Sequence, residues 1–333
     1  MKRLRHLLEY FAVRVVLVCV RLMPHRLVHA LGSGIGLVFY ALDMRHRRLA
    51  VQNLRAAFPL RSRRECRRIA RATFAHFGRL LTTLLKFSTM TSAQMLERIE
   101  FEGLDRAQSA HAAQRGVLFY TGHFGFWELN ALAHALALPP LAVLARPLDN
   151  PWLNALLERA RTRTGNSVLY RKGAIRRVLR LLAANNGIAI LIDQHIQSTD
   201  AVTVDFFNRP ASTTSALAAL ALRTGARVIP VFALPLPGSR YRLVYEHAVE
   251  PPHRTDDAAS PETIRDFTQR CTDVLEMYVR RYPELWLWMH RRWRDSDSIA
   301  AVPGMFPAAA SEDADSQLNV DEGRPQIDAD ERR

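Results

Sequence analysis

A histidine and a glutamate five positions apart are the residues of this sequence best suited to acid–base chemistry. His123 and Glu128 lie in the string GHFGFWE, directly after the apolar run GVLFYT at 116–121. In one continuous helix their side chains would point about 140° apart and would not meet. With His123 in a loop and Glu128 early in a helix, the carboxylate could hydrogen bond one ring nitrogen and make the other a general base. An ordinary structural pair fits the same spacing.

The elements around this string predict how it is positioned. The run at 116–121 predicts a strand that ends just before His123, and the helical spacing of 126–138 predicts the next helix. Strands separated by helices of 10 to 15 residues indicate an α/β sheet with helices on both faces, and ligand sites in such folds lie at the carboxyl ends of the strands. The other predicted strands are 141–145, 167–170, 188–193, 202–207, 226–235 and 241–246, and the other helices are 61–86, 151–163, 173–184, 213–224 and 261–282.

Composition and charge exclude several classes of protein. With 333 residues, 48% of them hydrophobic, the chain can bury a large core, which excludes disordered and collagen-like proteins. Its three cysteines are far apart, so we expect no disulfide framework, no metal site, no cofactor and a reducing compartment. Of the net charge of +14, residues 1–90 carry most, with 18 basic and three acidic residues. Anionic lipids explain this surface better than nucleic acid, because no nucleic-acid-binding motif accompanies it.

The N-terminal segment predicts a membrane-docking element. Residues 7–23 are apolar but are interrupted by Glu9, Arg14 and Arg21, and charges near the centre of a spanning helix are costly. Because Arg14 and Arg21 are two helical turns apart, they share one face, as in a helix that lies in the bilayer interface on its cytoplasmic side. A pair of buried helices with a basic rim is the alternative.

Three regions follow from these patterns. Residues 1–50 are predicted to form the membrane-associating helical segment, 51–299 the α/β domain, and 300–333 an acidic, disordered tail. Gly32, Gly34 and Gly36 favour close helix packing over a phosphate-binding loop, because no strand precedes them.

Four blocks of the sequence resemble one enzyme family. GHFGFWE is similar to the HxxxxE signature of the lipid A biosynthesis (lauroyl/myristoyl) acyltransferases, within the lysophospholipid acyltransferase superfamily, whose wider members use HxxxxD. Further family blocks resemble the segments 145–166, 191–195 with 206–232, and 283–294 in order and spacing. The resemblance spans about residues 10–295. It implies a mixed sheet flanked by helices, as in the glycerolipid acyltransferases.

The resemblance implies an O-acyltransferase at the cytoplasmic face of the inner membrane. A fatty acyl chain would pass from an acyl carrier protein or coenzyme A thioester to a hydroxyl of a lipid A precursor. His123 would be the general base and Glu128 would orient it, with no covalent enzyme intermediate. A lysophospholipid, a glycolipid or a phosphatidylinositol mannoside is the alternative acceptor. A thioesterase and a catalytically silent membrane-binding protein are alternatives of other classes.

Four further residues are candidates for substrate binding on the same resemblance. Arg161 and Asp193 match a family arginine and a family aspartate, and a guanidinium at position 161 would suit a phosphate or the thioester oxyanion. A structural ion pair between Arg161 and Asp193 is the alternative. Arg146 and Arg163 are candidates for headgroup phosphates, with solvated surface arginines as the alternative.

The closing block and two departures from the family pattern add further expectations. Trp286, Trp288 and Trp293 predict either an interfacial belt at the lipid headgroups or a packing plug for the sheet edge. Phe126 stands where the family usually has Asn, and Asn208 stands where it usually has Gly. The first departure lies between the two catalytic candidates, where it could alter the shape of the acceptor site.

Overall fold

The structure, a computed structural model, describes residues 2–170, 173–197, 201–252 and 260–293. The predicted tail at 300–333 lies outside these residues. The strands are β1 (Ile99–Glu102), β2 (Val117–Thr121), β3 (Leu141–Ala145), β4 (Ser167–Tyr170), β5 (Gly187–Leu191), β6 (Ala201–Asp205), β7 (Pro210–Thr214), β8 (Arg227–Leu236) and β9 (Arg240–Tyr245).

Seven of these strands form one mixed sheet in the order β1-β9-β8-β2-β5-β3-β4. All neighbours run parallel except β8 and β9, which form an antiparallel pair. All five residues of β2 are buried, as expected for a parallel strand covered on both faces. The predicted α/β fold with a mixed sheet is therefore confirmed. Strands β6 and β7 form a separate antiparallel pair.

Helices cover both faces of the sheet. One apolar cluster joins one face to α9, α10 and α11, and a second joins the other face to α6, α7 and α8. The helices are α1 (Lys2–Leu22), α2 (His25–Leu42), α3 (Met44–Ala57), α4 (Arg63–Phe87), α5 (Ser92–Leu96), α6 (Leu104–Ala112), α7 (Trp127–Ala137), α8 (Pro151–Thr162), α9 (Ile175–Ala183), α10 (Ala216–Thr224) and α11 (Pro261–Arg281).

Some elements differ from the prediction. Strand β1 was not predicted, because IEFE offers only two apolar positions and is too short to show a period of two. The helix predicted over 213–224 begins at Ala216 instead, because Pro210–Thr214 pairs with β6. Asn208, in the turn between β6 and β7, has a φ of +56°, a left-handed conformation that Gly and Asn tolerate best. This conformation explains why Asn can stand where the family usually has Gly.

Close packing of α2 on α4 confirms the helix-packing prediction for two of the three N-terminal glycines. A Cβ on Gly36 would lie 2.0 Å from the carbonyl oxygen of Phe74, and one on Gly32 would lie 2.3 Å from Oγ1 of Thr82. Gly34 faces away, and a Cβ on it would have nothing within 4 Å. Glycine at 32 and 36 therefore lets the two helix backbones touch.

Polar side chains from the rest of the protein hold α1 near both of its ends. The Lys86 ammonium at the end of α4 donates to the carbonyl oxygens of Val20, Arg21 and Met23 at 3.1, 3.0 and 2.8 Å, which satisfies the open C-terminus of α1. Asn150, the N-cap of α8, donates to the carbonyl oxygen of His6 at 2.8 Å. Helix α1 is thus fixed to the body of the protein.

The opposite side of α1 presents an apolar stripe to solvent. Its residues recur every three to four positions and are 47–81% exposed, and Arg14 and Arg21 flank them by helical position. Within the described residues, no single helix is long and apolar enough to cross a bilayer. Taken together, α2 and α3 have the required length and apolar composition, but they are bent by 93° relative to each other. The stripe consists of Leu4, Leu8, Phe11, Val15, Val18 and Leu22.

Candidate active site

Two adjacent parallel strands bring His123 and Asp193 together. Thr121 at the end of β2 is in register with Leu191 at the end of β5, so His123 and Asp193 each lie two residues beyond a matched pair. The Nδ1 atom of His123 is 2.8 Å from Oδ1 of Asp193. Because neighbouring parallel strands end at the same edge of a sheet, the topology alone accounts for this pairing across 70 positions of sequence.

Asp193 is buried and fully engaged. Its side chain is 1% exposed, and its Oδ2 accepts from the backbone N–H of His123 at 2.7 Å and from the indole N–H of Trp286 at 2.8 Å. A Cβ at Gly122 would lie 2.8 Å from the same oxygen, so glycine is needed there for the carboxylate to approach the backbone. Asp193 was predicted to bind substrate. In the structure its buried carboxylate contacts three protein donors, and Asp193 is not among the described residues that line the cavity.

The expected hydrogen bond from Glu128 to the histidine ring is not made, and that prediction is wrong. Glu128 lies in the first turn of α7, and its two oxygens accept from Nε and a terminal nitrogen of Arg161 at 2.9 and 2.5 Å. The ion pair considered between Arg161 and Asp193 is also wrong, because each residue pairs with a different partner. The physical reason is that Asp193 reaches His123 from the neighbouring strand, whereas Arg161 in α8 faces α7.

Charge around His123 favours the protonated form of its ring. Burial disfavours the imidazolium, but the adjacent Asp193 carboxylate, with a smaller contribution from Glu128, outweighs burial and raises the pKa of His123 above its ordinary value. The His123 contacts hold the pKa of Asp193 far below its usual range despite its burial. An ionised Asp193 requires a proton on Nδ1 of His123, which leaves the lone pair on Nε2 free to accept a proton.

The two charges of the Arg161–Glu128 pair are largely removed from solvent. The side chains are 16% and 11% exposed, and the bidentate contact to the carboxylate raises the pKa of Arg161 against the opposing effect of burial. Two of the five guanidinium N–H groups serve Glu128. A fixed guanidinium of this kind can donate to an oxyanion or a phosphate at the cavity that it lines.

A cavity of about 500 Å³ runs from His123 between α7 and the sheet. One wall is the helical stripe of Trp127, Asn130, Ala131 and His134, and the mouth is bounded by Glu128, Arg161 and the loop at 145–149. Its volume lies within the range of about 300–1,000 Å³ that is typical of small-molecule sites. The sheet wall is mostly apolar and includes Phe119, Leu141, Val143, Ala189, Leu191 and Val231. The cavity therefore has the chemistry of a site for an alkyl chain.

The remaining predicted site residues lie at different distances from this chemistry. Arg146 borders the cavity mouth, is 80% exposed and is 3.5 Å from the carboxylate of Asp149. Arg163 donates to the carbonyl oxygen of Met90 at 2.7 Å and does not line the cavity. The structure thus brings Arg146 and Arg161 to one cavity and leaves Arg163 outside it.

The closing tryptophans form a packing plug. Trp286 and Trp288 are fully buried and Trp293 is 4% exposed, so the prediction of an interfacial belt is wrong and its alternative is confirmed. The segment also pairs with the histidine loop, because Gly125 N–H donates to Leu285 and Leu287 N–H donates to the carbonyl oxygen of His123. The plug therefore supports both His123 and Asp193.

Two further interactions that sequence reasoning missed hold the loop between β2 and α7. Gly125 has a φ of +58°, and a Cβ there would lie 2.2 Å from the carbonyl oxygen of Ala233. The buried ring of His76 donates from Nε2 to the carbonyl oxygen of Gly125 at 2.9 Å. The ring centroids of Phe126 and His76 are 4.9 Å apart, and Phe126 is 1% exposed, so the departure from Asn at this position contributes to the core.

Among the described residues, no group of three or more His, Cys, Asp or Glu side chains could hold a metal ion.

Comparison with known proteins supports an acyl-transfer chemistry. The family described as "Bacterial lipid A biosynthesis acyltransferase" matches residues 1–295. The chain is 26% identical over 292 residues to the lipid A biosynthesis lauroyltransferase of Escherichia coli (87% of this chain and 92% of that one) and 23% identical over 270 residues to its myristoyltransferase (81% and 82%). It is 24% identical over 230 residues to a phosphatidylinositol mannoside acyltransferase of Mycolicibacterium smegmatis (68% and 72%). The chain therefore belongs to the bacterial lipid A biosynthesis acyltransferase family and is an acyltransferase.

Proposed function

We propose that this protein transfers a fatty acyl group from a thioester of acyl carrier protein or coenzyme A to a hydroxyl of a lipid A precursor. The observation that carries the proposal is the His123–Asp193 pair at the open end of an apolar cavity. An alkyl chain in the cavity would place its thioester carbonyl beside the ring. The family supports the same type of reaction.

In the proposed mechanism, Nε2 of His123 takes the proton of the acceptor hydroxyl as its oxygen attacks the thioester carbonyl carbon. The tetrahedral intermediate then collapses and the carbon–sulfur bond breaks. The imidazolium returns the proton to the departing thiolate, so the histidine ends neutral and no enzyme-bound intermediate forms. Asp193 stabilises the imidazolium through the 2.8 Å contact to Nδ1 and keeps the ring in the required tautomer.

Arg161 is proposed to stabilise the negative charge that develops on the thioester oxygen, or a phosphate of the acceptor. Its position in α8 is fixed by the two contacts to Glu128, so its remaining N–H groups need no reorganisation. Glu128 therefore acts through Arg161 and through its charge near His123. Arg146, at the cavity mouth, is proposed to contact a headgroup phosphate, and Arg163 is proposed to do so farther out on the surface.

Residues 1–50 are proposed to dock the enzyme on the cytoplasmic face of the inner membrane. The exposed apolar stripe of α1, with Arg14 and Arg21 beside it, supports a helix that lies in the interface of an anionic bilayer. Phe11→Glu, at the centre of the stripe, should abolish co-flotation with vesicles that contain phosphatidylglycerol. Met277→Glu, at a 54% exposed apolar position in α11, is the matched control and should leave flotation unchanged. Equal flotation of both variants would contradict the proposal.

The acceptor has one specific alternative. The similarity to a phosphatidylinositol mannoside acyltransferase favours testing a glycolipid of that kind beside the lipid A precursor. A lysophospholipid is the third acceptor to include. The same His123 chemistry would serve all three.

The deciding experiment uses purified full-length protein in detergent. Dodecanoyl thioesters of acyl carrier protein and of coenzyme A are offered with an under-acylated lipid A precursor, and the lipids are analysed by mass spectrometry. We expect a gain of one acyl chain that is lost in His123→Ala and kept in His247→Ala, a control at an exposed histidine. Acylation of only the glycolipid or the lysophospholipid would contradict the lipid A assignment, and a gain that survives His123→Ala would contradict the mechanism.

A further inference from the structure

Among the described residues that line the cavity, three carry a buried side-chain polar atom without a hydrogen-bond partner: Oγ1 of Thr121, Oδ1 of Asn130 and Nε2 of His134. The first two call for one ligand group of matching chemistry. We infer that the alkyl chain held in this cavity carries a hydroxyl group near its thioester end, and that Thr121 and Asn130 select it. The inference rests on the proposed function, since it names the class of acyl donor that the same site would take.

Thr121 carries a buried, unpaired hydroxyl at a position that lines the cavity. Along β2, Leu118 and Tyr120 pack into the apolar cluster on one face of the sheet, whereas Phe119 lies on the other face with Thr121, by strand alternation. Thr121 lines the cavity and is 7% exposed. Its Oγ1 is buried and makes no hydrogen bond to any residue that the structure describes.

Asn130 carries a buried acceptor oxygen at a position that lines the same cavity. Its amide nitrogen donates to the carbonyl oxygen of Val231 at 3.1 Å. Because a carbonyl can only accept, the nitrogen must occupy that position, and the amide oxygen is turned the other way. Within the described part of the chain, this Oδ1 is buried without a hydrogen-bond partner, in a residue that lines the cavity.

The pair is complementary to a hydroxyl group. Oδ1 of Asn130 can only accept a hydrogen bond, whereas the Thr121 hydroxyl can donate one. A ligand hydroxyl can donate one hydrogen bond and accept another, so its chemistry matches both atoms. A methylene group satisfies neither, and a ketone or ether oxygen satisfies only Thr121. Leaving a buried polar group unpaired typically weakens binding about fivefold to a hundredfold.

The level of the two residues in the sheet places the hydroxyl close to the reacting carbon. Thr121 is two residues before His123, and Val231 of β8, which holds Asn130, follows the residue that pairs with Tyr120. Phe119 lies two residues deeper in β2, and Leu141 is level with the start of β2 through their shared partner Gly187. The deep end of the sheet wall is therefore apolar and the polar pair lies toward the mouth, which points to a 2-hydroxy- or 3-hydroxyacyl chain.

A binding experiment on the full-length protein tests the inference without acyl transfer. Dodecanoic acid, 2-hydroxydodecanoic acid and 3-hydroxydodecanoic acid are used to displace a fluorescent fatty acid from the purified protein. We expect one of the hydroxylated acids to displace the probe at a concentration at least about fivefold lower than dodecanoic acid does. Thr121→Val, a nearly isosteric change, should remove this preference, and so should Asn130→Leu. Val143→Ala, in the apolar wall, is the control and should weaken all three acids alike.

The outcomes separate this inference from the proposed function. Equal displacement by the three acids, or a preference that survives Thr121→Val, would overturn the hydroxyl site, because a bound water would then suffice for both atoms. A preference in binding that is absent from the transfer rates of the matching thioesters would overturn the donor assignment and place an acceptor chain in the cavity. If no thioester is transferred but the binding preference remains, the proposed function fails and the hydroxyl site stands.

Discussion

Replacing Asp193 by Asn tests the central contact of the site with the smallest possible change in shape. Oδ2 of Asp193 accepts from two N–H groups, the backbone of His123 at 2.7 Å and the indole of Trp286 at 2.8 Å. In Asp193→Asn, the amide oxygen must take this position, because an NH₂ group there would face two donors. The NH₂ group then faces Nδ1 of His123 at the 2.8 Å position of Oδ1.

The consequence for the ring is a change of tautomer. Facing a donor, Nδ1 must present its lone pair, so the proton of the neutral ring moves to Nε2, which can no longer accept one from the acceptor hydroxyl. The variant also lacks the carboxylate that stabilises the imidazolium. Losing general-base catalysis typically costs a factor of about 10² to 10⁴ in rate, which corresponds to about 3 to 5 kcal/mol of activation free energy.

The assay is the pH dependence of acyl transfer, followed as thiol release together with formation of the acylated lipid. Wild-type kcat/KM should fall as the pH drops through the pKa of His123, which the carboxylate of Asp193 keeps above its ordinary value. In Asp193→Asn, the residual activity should be about 10²- to 10⁴-fold lower and its acidic limb should move to lower pH, because the charge that raised the pKa is gone. An activity within about threefold of the wild type, with an unshifted acidic limb, would refute the role assigned to this pair.

Three further predictions concern other contacts of the structure. Glu128→Gln should lower kcat/KM about tenfold by turning a charge-assisted contact to Arg161 into a neutral one, and should shift the acidic limb less than Asp193→Asn does. Gly36→Ala should lower the midpoint temperature of thermal unfolding, because the added methyl group forces α2 away from α4. Gly34→Ala, in the same helix but with free space around the added methyl group, should leave that midpoint unchanged or raise it. Burial lowers the pKa of His76 from 6.5 to about 3, so unfolding free energy should fall on acidification from about pH 6.5 toward 3, and His76→Gln should flatten that dependence.

Each of these has a result that would contradict it. A larger loss or a larger pH shift in Glu128→Gln than in Asp193→Asn would restore the glutamate as the partner of the histidine. Equal unfolding midpoints for the two glycine variants, measured by circular dichroism, would contradict the close packing of α2 on α4. The sign of the His76 effect follows from linkage: the unfolded chain binds more protons in this pH window, so stability must rise with pH. An unfolding free energy that is independent of pH there would show that His76 is not buried in its neutral form.

Much of the sheet could be predicted because its signals are local. The apolar runs that form β2, β3, β5, β8 and β9 are each bounded by glycine, proline or polar residues. A few adjacent residues are therefore enough to predict where each strand lies. The placement of His123 after β2 followed from the same signal. Strand β1 carried too few apolar residues to be recognised, and it forms because β9 offers it a parallel partner.

The partners within the site could not be predicted because sheet order is not local. Nothing near His123 indicates that β5, about 70 residues later, lies beside β2, so the nearby Glu128 was the natural candidate to orient the ring. A signal did exist: Asp193 closes the predicted strand at 188–193, and His123 lies just after the predicted strand at 116–121. The burial of the tryptophans could not be predicted for a related reason. A local sequence pattern does not distinguish a tryptophan at the lipid headgroups from one in a protein core.

The attachment of α1 at both ends has a consequence for how a substrate meets this enzyme. Asn150 holds the helix at His6 and Lys86 holds it from Val20, contacts about 21 Å apart along the axis, so the helix cannot swing like a tether. Asn150 also begins α8, the helix that carries Arg161. If α1 lies in the interface of a bilayer as proposed, the orientation of this helix also fixes the tilt of the cavity mouth, because α1 is held to the body of the protein at both ends. A lipid that diffuses in the plane of the membrane would then meet the site in one orientation, and its search would be two-dimensional.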